Sequence, residues 1–146
     1  NIKTKTNSEL VGEEKEIFLK GAEIAYESII TSFASGDKVK LKGLLSRDMA
    51  SSFEEAIKTR ENNNIQSDLT FIGMKEAQLE KYEKIKNEVF ATVKFVCEII
   101  SVKKDKDNKI IEGDPNKIKT VTDHWKFSKN IFSKNPNWYL CEIINK

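Results

Sequence analysis

The chain changes its hydrophobic period near residue 65, from the three-to-four step of helices to the alternation of strands. From Glu13 to Ala34, apolar residues recur at Phe18, Ala22, Ala25, Ile29 and Phe33, along one helix face. Ile17, Ile24, Tyr26 and Ile30 widen that stripe, which predicts a helix buried over much of its circumference. Gly36 is placed to close this helix, and Asp37 to cap a short second one carrying Leu41, Leu44 and Leu45. Ser46 caps a third helix with Met49, Phe53, Ala56, Ile57 and Arg60 on one face, and the run Glu61–Asn64 ends it.

Beyond that point the period is two. A first strand is predicted from Asp68 to Lys81. A long second one, Glu88 to Lys103, places Val89, Ala91, Val93, Phe95, Cys97 and Ile99 on one side. Residues 105–109 make a turn, and Gly113-Asp114-Pro115 interrupts the returning strand near its start. A third strand spans Lys117 to Lys129, residues 133–137 turn the chain, and Trp138 to Ile144 is the last strand. Pro115 and Pro136 both fall in turns, where a missing N–H is harmless. The expected fold class is α+β, with N-terminal helices packed on one face of a curved four-stranded antiparallel sheet. Strands this long twist and curl, which predicts a half-open cone with an apolar pocket.

Length and composition narrow the picture. At 146 residues with a net charge of +2, the chain suits a single domain with its own core, and no stretch has the length of a membrane span. Residues 1–12 are expected to form a flexible lead and residues 13–146 the domain. The chain starts at Asn1 rather than methionine, from which a removed upstream segment is expected. The last 46 residues hold ten basic and six acidic side chains, too mild an excess for a nucleic-acid surface, so no nucleic acid is expected as a partner. Cys97 and Cys141 sit in apolar strand-like runs and are expected as reduced thiols. No metal-ligand spacing links them to the single histidine, so neither a metal nor a cofactor is expected.

Asp123 is the most informative residue for chemistry. Alternation puts it on the side of Val121, Trp125 and Phe127, where a carboxylate needs partners. One reading is a general base in a cone-shaped pocket, with Tyr26 or Trp138 orienting the substrate of an isomerase or hydrolase. The other is a structural carboxylate bonded to a neighbouring donor. His124 points to the opposite side with Thr122 and Lys126 and reads as a solvated strand residue. No Ser-His-Asp set or glycine-rich phosphate loop is present to supply a second catalytic group, so no catalytic residue is assigned. Tyr26, Phe53, Phe95, Asp123, Trp125 and Phe127 are the candidate lining of a pocket for a small molecule or lipid. Lys103, Lys104, Lys106, Lys109, Lys117 and Lys119 cluster about one hairpin and are the candidate contact with an anionic surface, weakened by interleaved Asp105, Asp107, Glu112 and Asp114.

A series of short motifs then adds a resemblance. Gly36-Asp37 before Leu41, Leu44-Leu45-Ser46, Phe53-Glu54, Ala56-Ile57 and Arg60 are followed by Gly113-Asp114-Pro115, Asp123-x-Trp125-x-Phe127 and Asn137-Trp138. In that order, over roughly residues 17 to 144, they resemble the Tim44-like domain family, named for a scaffold subunit of the mitochondrial inner-membrane translocase. The resemblance implies a fold like nuclear transport factor two and a non-enzymatic role as a scaffold for protein translocation or insertion. It implies protein partners in that machinery and a place at an inner membrane, peripheral or N-terminally anchored, on the cytoplasmic or matrix side. Two departures stand out. An arginine common after the Trp-x-Phe pair is Lys129 here, which loses bidentate pairing. The first twenty residues balance four lysines against four glutamates, so any contact of this chain with anionic lipid is expected to be weak.

Overall fold

The computed structural model describes residues 9–135 and 137–145, so the first eight residues of the expected lead, and Pro136, lie outside the described residues. Helix α1 spans Gly12–Ser35, α2 Lys38–Lys42 and α3 Arg47–Asn62. The strands are β1 Gln66–Ile85, β2 Glu88–Lys104, β3 Ile110–Gly113, β4 Lys119–Asn130 and β5 Tyr139–Ile144. The sheet is antiparallel in the order β1-β2-β4-β5, with β3 also paired to β2. Helices lie against one face of an open sheet, the α+β arrangement that the change of period predicts.

Local chemistry sets the helix ends. Gly36 takes a φ of 78° and donates its N–H to the Phe33 carbonyl, the left-handed closure that glycine tolerates best. The Asp37 carboxylate accepts from the Lys40 N–H at 3.1 Å, and the Ser46 hydroxyl from the Met49 N–H at 3.3 Å. Arg60 reaches back from α3 and donates to the carbonyls of Phe33 and Ala34 at 2.8 and 3.2 Å, while its guanidinium lies 5.2 Å from the centre of the Phe33 ring. One cation thereby satisfies the orphan carbonyls at the end of α1 and ties two helices together. Between α2 and α3, Leu45 forms a parallel bridge with Leu140 of β5 and buries both side chains.

Three expectations change. The returning strand is two strands, because the chain leaves β2 at Gly113. A Cβ there would lie 2.1 Å from the Ser101 carbonyl oxygen, and φ is +88°, so only glycine fits. The sheet thus has five strands rather than four. The first strand is longer at both ends than its alternation suggests, because register shifts after Phe71, Met74 and Leu79 break the period without ending the ladder. The helix stripe is narrower than read: α1 buries Ala22, Tyr26, Ile29 and Ser32, while Ile17 and Ile24 are 65 % and 71 % exposed. Those two isoleucines sit seven residues apart, about two turns, so they share a face turned away from Tyr26.

Candidate functional site

Val93, Phe95 and Cys97 of β2 face Trp125, Asp123 and Val121 of β4 across the ladder, and α1 lays Tyr26 over them. The Tyr26 ring lies 4.5 Å from Phe95 and 4.4 Å from Trp125, and Phe95 and Phe127 meet edge-on at 6.2 Å. Tyr26 donates its hydroxyl proton to Asp123 Oδ2 at 2.5 Å, and the Cys97 thiol donates to the Tyr26 oxygen at 3.5 Å. Burial first, then the hydrogen bond to Asp123, pushes the Tyr26 hydroxyl well above the usual tyrosine range. Burial likewise pushes the Cys97 thiol up, which keeps it a protonated donor and a poor nucleophile. Asp123 is therefore the acceptor at the end of a short polar chain inside an aromatic cluster. The Trp125 indole nitrogen is buried without a partner among the described residues.

The structure brings five of the six candidate pocket residues together, and packs them. Tyr26, Phe95, Trp125 and Phe127 are all buried, and Phe127 also lines a groove beside α1. Phe53 stands apart, edge-on to Phe33 at 5.0 Å where α3 meets α1. Trp138 does not approach Asp123; it packs on Phe18 at 4.9 Å and lines a groove of about 490 Å³ with Ile17, Ile24 and Leu44. Lys129 Nζ lies 5.9 Å from the centre of the Trp138 ring, so a cation meets that indole.

His124 departs from its expected solvation. Its Nδ1 lies 2.9 Å from Glu80 Oε1, and both side chains are largely covered on the outer face of the sheet. The register shift between Leu79 and Lys81 falls at Glu80, a pairing that strand periodicity cannot foresee. Cys97 and Cys141 are both free thiols, on β2 and β5, with β4 between those strands.

The lysine hairpin is split by its pairing. Lys103 lies 3.8 Å from Glu112, and Lys104 3.3 Å from Asp68. Lys106, Lys109, Lys117 and Lys119 are exposed and have no ion-pair partner among the described residues. The Asp105 carboxylate accepts from the Asp107 and Lys109 N–H groups at 2.9 and 3.0 Å, so this acid shapes the turn.

A cavity of about 690 Å³ lies between α3 and the neighbouring ends of β1 and β2, and of the sequence-predicted site residues Lys103 lines it. Ser52, Ala56, Thr59 and Asn63 give it one wall, at the three- and four-residue steps of a helix face. That spacing is legible, but small polar residues on a helix otherwise read as a solvated face. Among the described residues, no group of histidine, cysteine and carboxylate side chains is placed to hold a metal ion.

The order of helices and strands, the capping residues and the Asp123-x-Trp125-x-Phe127 strand together define a helix-on-sheet domain of the kind the motifs resemble. The Tim44-like domain model matches residues 14–145, and the chain belongs to that family. Among solved structures it is similar to the intermembrane space region of the chloroplast protein ARC6, at 14 % identity and a TM-score of 0.54, over 88 % of this chain and 97 % of that one. A de novo designed β-sheet protein matches at 12 % identity and a TM-score of 0.33, over 88 % of this chain and 87 % of that one. The curated proteins contain no match.

Proposed function

We propose that this chain is a non-enzymatic scaffold or adaptor domain, linked to protein translocation or insertion at an inner membrane. Family membership over nearly the whole chain is the observation that carries this reading. The setting of Asp123 supports it: the carboxylate accepts from Tyr26, which is buried against the rings of Phe95 and Trp125, as a structural carboxylate would. Among the described residues no helix is long and apolar enough to cross a membrane. In this reading the domain works at the bilayer, on its cytoplasmic or matrix side. Its partners are proteins of the translocation or insertion machinery, with weak anionic-lipid contact through the exposed lysines of the hairpin. The test is a pull-down with the full-length protein from solubilised membranes. Recovery of a translocation or insertion component is the expected result; none above the tag-only control overturns the reading.

The apolar groove beside α1 favours a second reading, a lipid- or small-molecule-binding domain. Phe18, Phe127 and Trp138 with Ile17, Ile24 and Leu44 offer an acyl chain about 490 Å³ of apolar-walled space. Native mass spectrometry of protein purified without detergent reads this directly, since a bound acyl chain adds its mass and an empty groove adds nothing.

A further inference from the structure

We infer that the cleft between α3 and the adjoining ends of β1 and β2 docks a short, extended, acidic segment of a partner protein. This rests on the scaffold reading and names the partner's chemistry.

The topology makes the cleft. Helix α3 leans on α2 and β5, while β1 and β2 run on to Gln66 and Lys104, and space remains between α3 and those ends. Its floor is apolar, from Phe33 and Ile65. Around that floor stand Ser51, Ser52, Thr59, Asn63 and Ser67, whose side chains make no hydrogen bond among the described residues. Short donors and acceptors above an apolar floor match a peptide, which presents backbone polar groups and apolar side chains together.

Charge then selects the sign. Arg60 and Lys103 line the cleft against one acid, Glu55. Arg60 uses one terminal nitrogen on the Phe33 and Ala34 carbonyls, which leaves the rest of its guanidinium without an acceptor among the described residues. Lys103 and Glu112 stand 3.8 Å apart and are 42 % and 69 % exposed, a pair held too weakly to spend the lysine's charge. Beyond the wall, Lys106 and Lys109 add positive charge with no ion-pair partner among the described residues.

The shape favours an extended occupant over a compact one. A second cavity of about 660 Å³ shares Arg60, Ile65 and Ser67 with the first, so the two run on past the guanidinium. The two acids in that second cavity each have a lysine beside them, Glu61 with Lys38 at 3.9 Å and Asp68 with Lys104 at 3.3 Å, so each is offset by a charge of opposite sign. A bilayer is too flat to enter a concave cleft of this kind, which favours a peptide over a membrane surface.

The experiment titrates the 146-residue chain, isotope-labelled for amide NMR, with three pools of randomised octapeptides: acidic-apolar, basic-apolar and neutral. Phosphatidylglycerol vesicles form a fourth arm. The acidic pool is expected to shift the amides of residues 51–63 and 65–67 in a saturable way. Ala56→Trp, which fills the cleft from an exposed helix position, is expected to abolish those shifts. Lys103→Glu, on a half-exposed side chain, keeps the test open if Ala56→Trp does not fold, and is expected to weaken binding about fivefold. Equal binding of all pools, shifts confined to the hairpin or the α1 groove, cleft shifts produced only by vesicles, or acidic binding indifferent to both substitutions each overturn the proposal. The pull-down separates it from the scaffold reading. If both variants still recover the translocation component but lose the peptide, the cleft is not where that partner docks and the scaffold reading stands. Peptide binding without such a component leaves the cleft and removes the translocation role.

Discussion

Where α1 crosses β2 and β4, the inner face of the sheet is filled; where β1 and β2 run past α3, the same sheet faces open space. At the filled end Val93, Phe95 and Cys97 are fully buried, and among the described residues one fully buried side-chain nitrogen or oxygen lacks a partner. Tyr26, Asp123 and Cys97 satisfy one another, and the Trp125 nitrogen is the exception. At the open end, β2 contributes Lys103 and β1 contributes Ser67 to a cleft whose hydroxyls are left to solvent. Close packing makes the first region indifferent to ligands and intolerant of substitution. The second has the reverse properties, which suits a surface that meets another molecule.

The sharpest way to break this contrast is one substitution in each region. Phe95→Ala removes a fully buried ring that touches Tyr26, Trp125 and Phe127, and is expected to cost about 3–5 kcal/mol in urea unfolding. Ala56→Ser, on the cleft wall, is expected to leave the midpoint within error. Similar losses at both positions would show that the cleft is closed in solution.

Gly113→Ala comes next. The added Cβ meets the Ser101 carbonyl in a left-handed conformation, so about 3 kcal/mol of strain is expected, together with loss of the β3 pairing. Hydrogen exchange should show the damage at Val102 to Lys104 and not at Phe95. An unchanged midpoint would mean that the break between β3 and β4 contributes little to the fold.

Most of what the sequence made legible belongs to the frame around these regions. Gly36, Asp37, Ser46, Arg60 and Gly113 all occur in the motif series, and each closes, caps or bends the chain. Such residues act through one or two neighbours, so a local pattern exposes them. The inward set on β2 was readable for the same reason, because β2 pairs with β4 without a register shift from Glu88 to Ile99. What escaped was set by distant geometry. The bulges of β1 move Glu80 to His124, and the position of α3 opens a cleft beside residues that look like any solvated helix face. Asp123 was legible as a carboxylate in need of a partner, but not that Tyr26, 97 residues away in sequence, would be it.

Tyr26→Phe tests whether the polar chain stabilises the filled end or is merely tolerated there. Removing the hydroxyl leaves Asp123 without its donor and Cys97 without its acceptor, and about 1–3 kcal/mol is expected to be lost at neutral pH. The alkaline side has a definite sign. An unfolded tyrosine ionises near its ordinary value of 10.0, whereas in the folded protein burial and the Asp123 bond hold the proton to higher pH. Stability from this group is therefore complete below about pH 10 and falls as pH rises above it, at up to ~1.4 kcal/mol per unit. Urea midpoints of the parent should fall more steeply above pH 10 than those of Tyr26→Phe. Burial also raises Tyr82, which is present in both proteins, so the difference between the two slopes isolates Tyr26. Parallel slopes would show that the Tyr26 hydroxyl titrates normally.

The smallest expected effect on folding is at the hairpin, and there the comparison turns from stability to contact. Lys106, Lys109 and Lys117 are exposed without ion-pair partners among the described residues, so their joint change to Glu is expected to leave the urea midpoint unmoved. Binding is another matter. A lysine close to an anionic membrane contributes about 1 kcal/mol, fading within a Debye length of ~10 Å at moderate salt. Asp107 and Asp114 stand beside these lysines and offset part of that attraction. Flotation with cardiolipin-containing vesicles is therefore expected to show weak recovery at low salt, loss at physiological salt, and loss at both in the triple variant. Because Lys104 already faces Asp68 at 3.3 Å, reversing that lysine instead should matter less. Salt-resistant flotation that survives the triple reversal would put lipid contact elsewhere, with the apolar groove at Ile17 and Ile24 the first surface to examine.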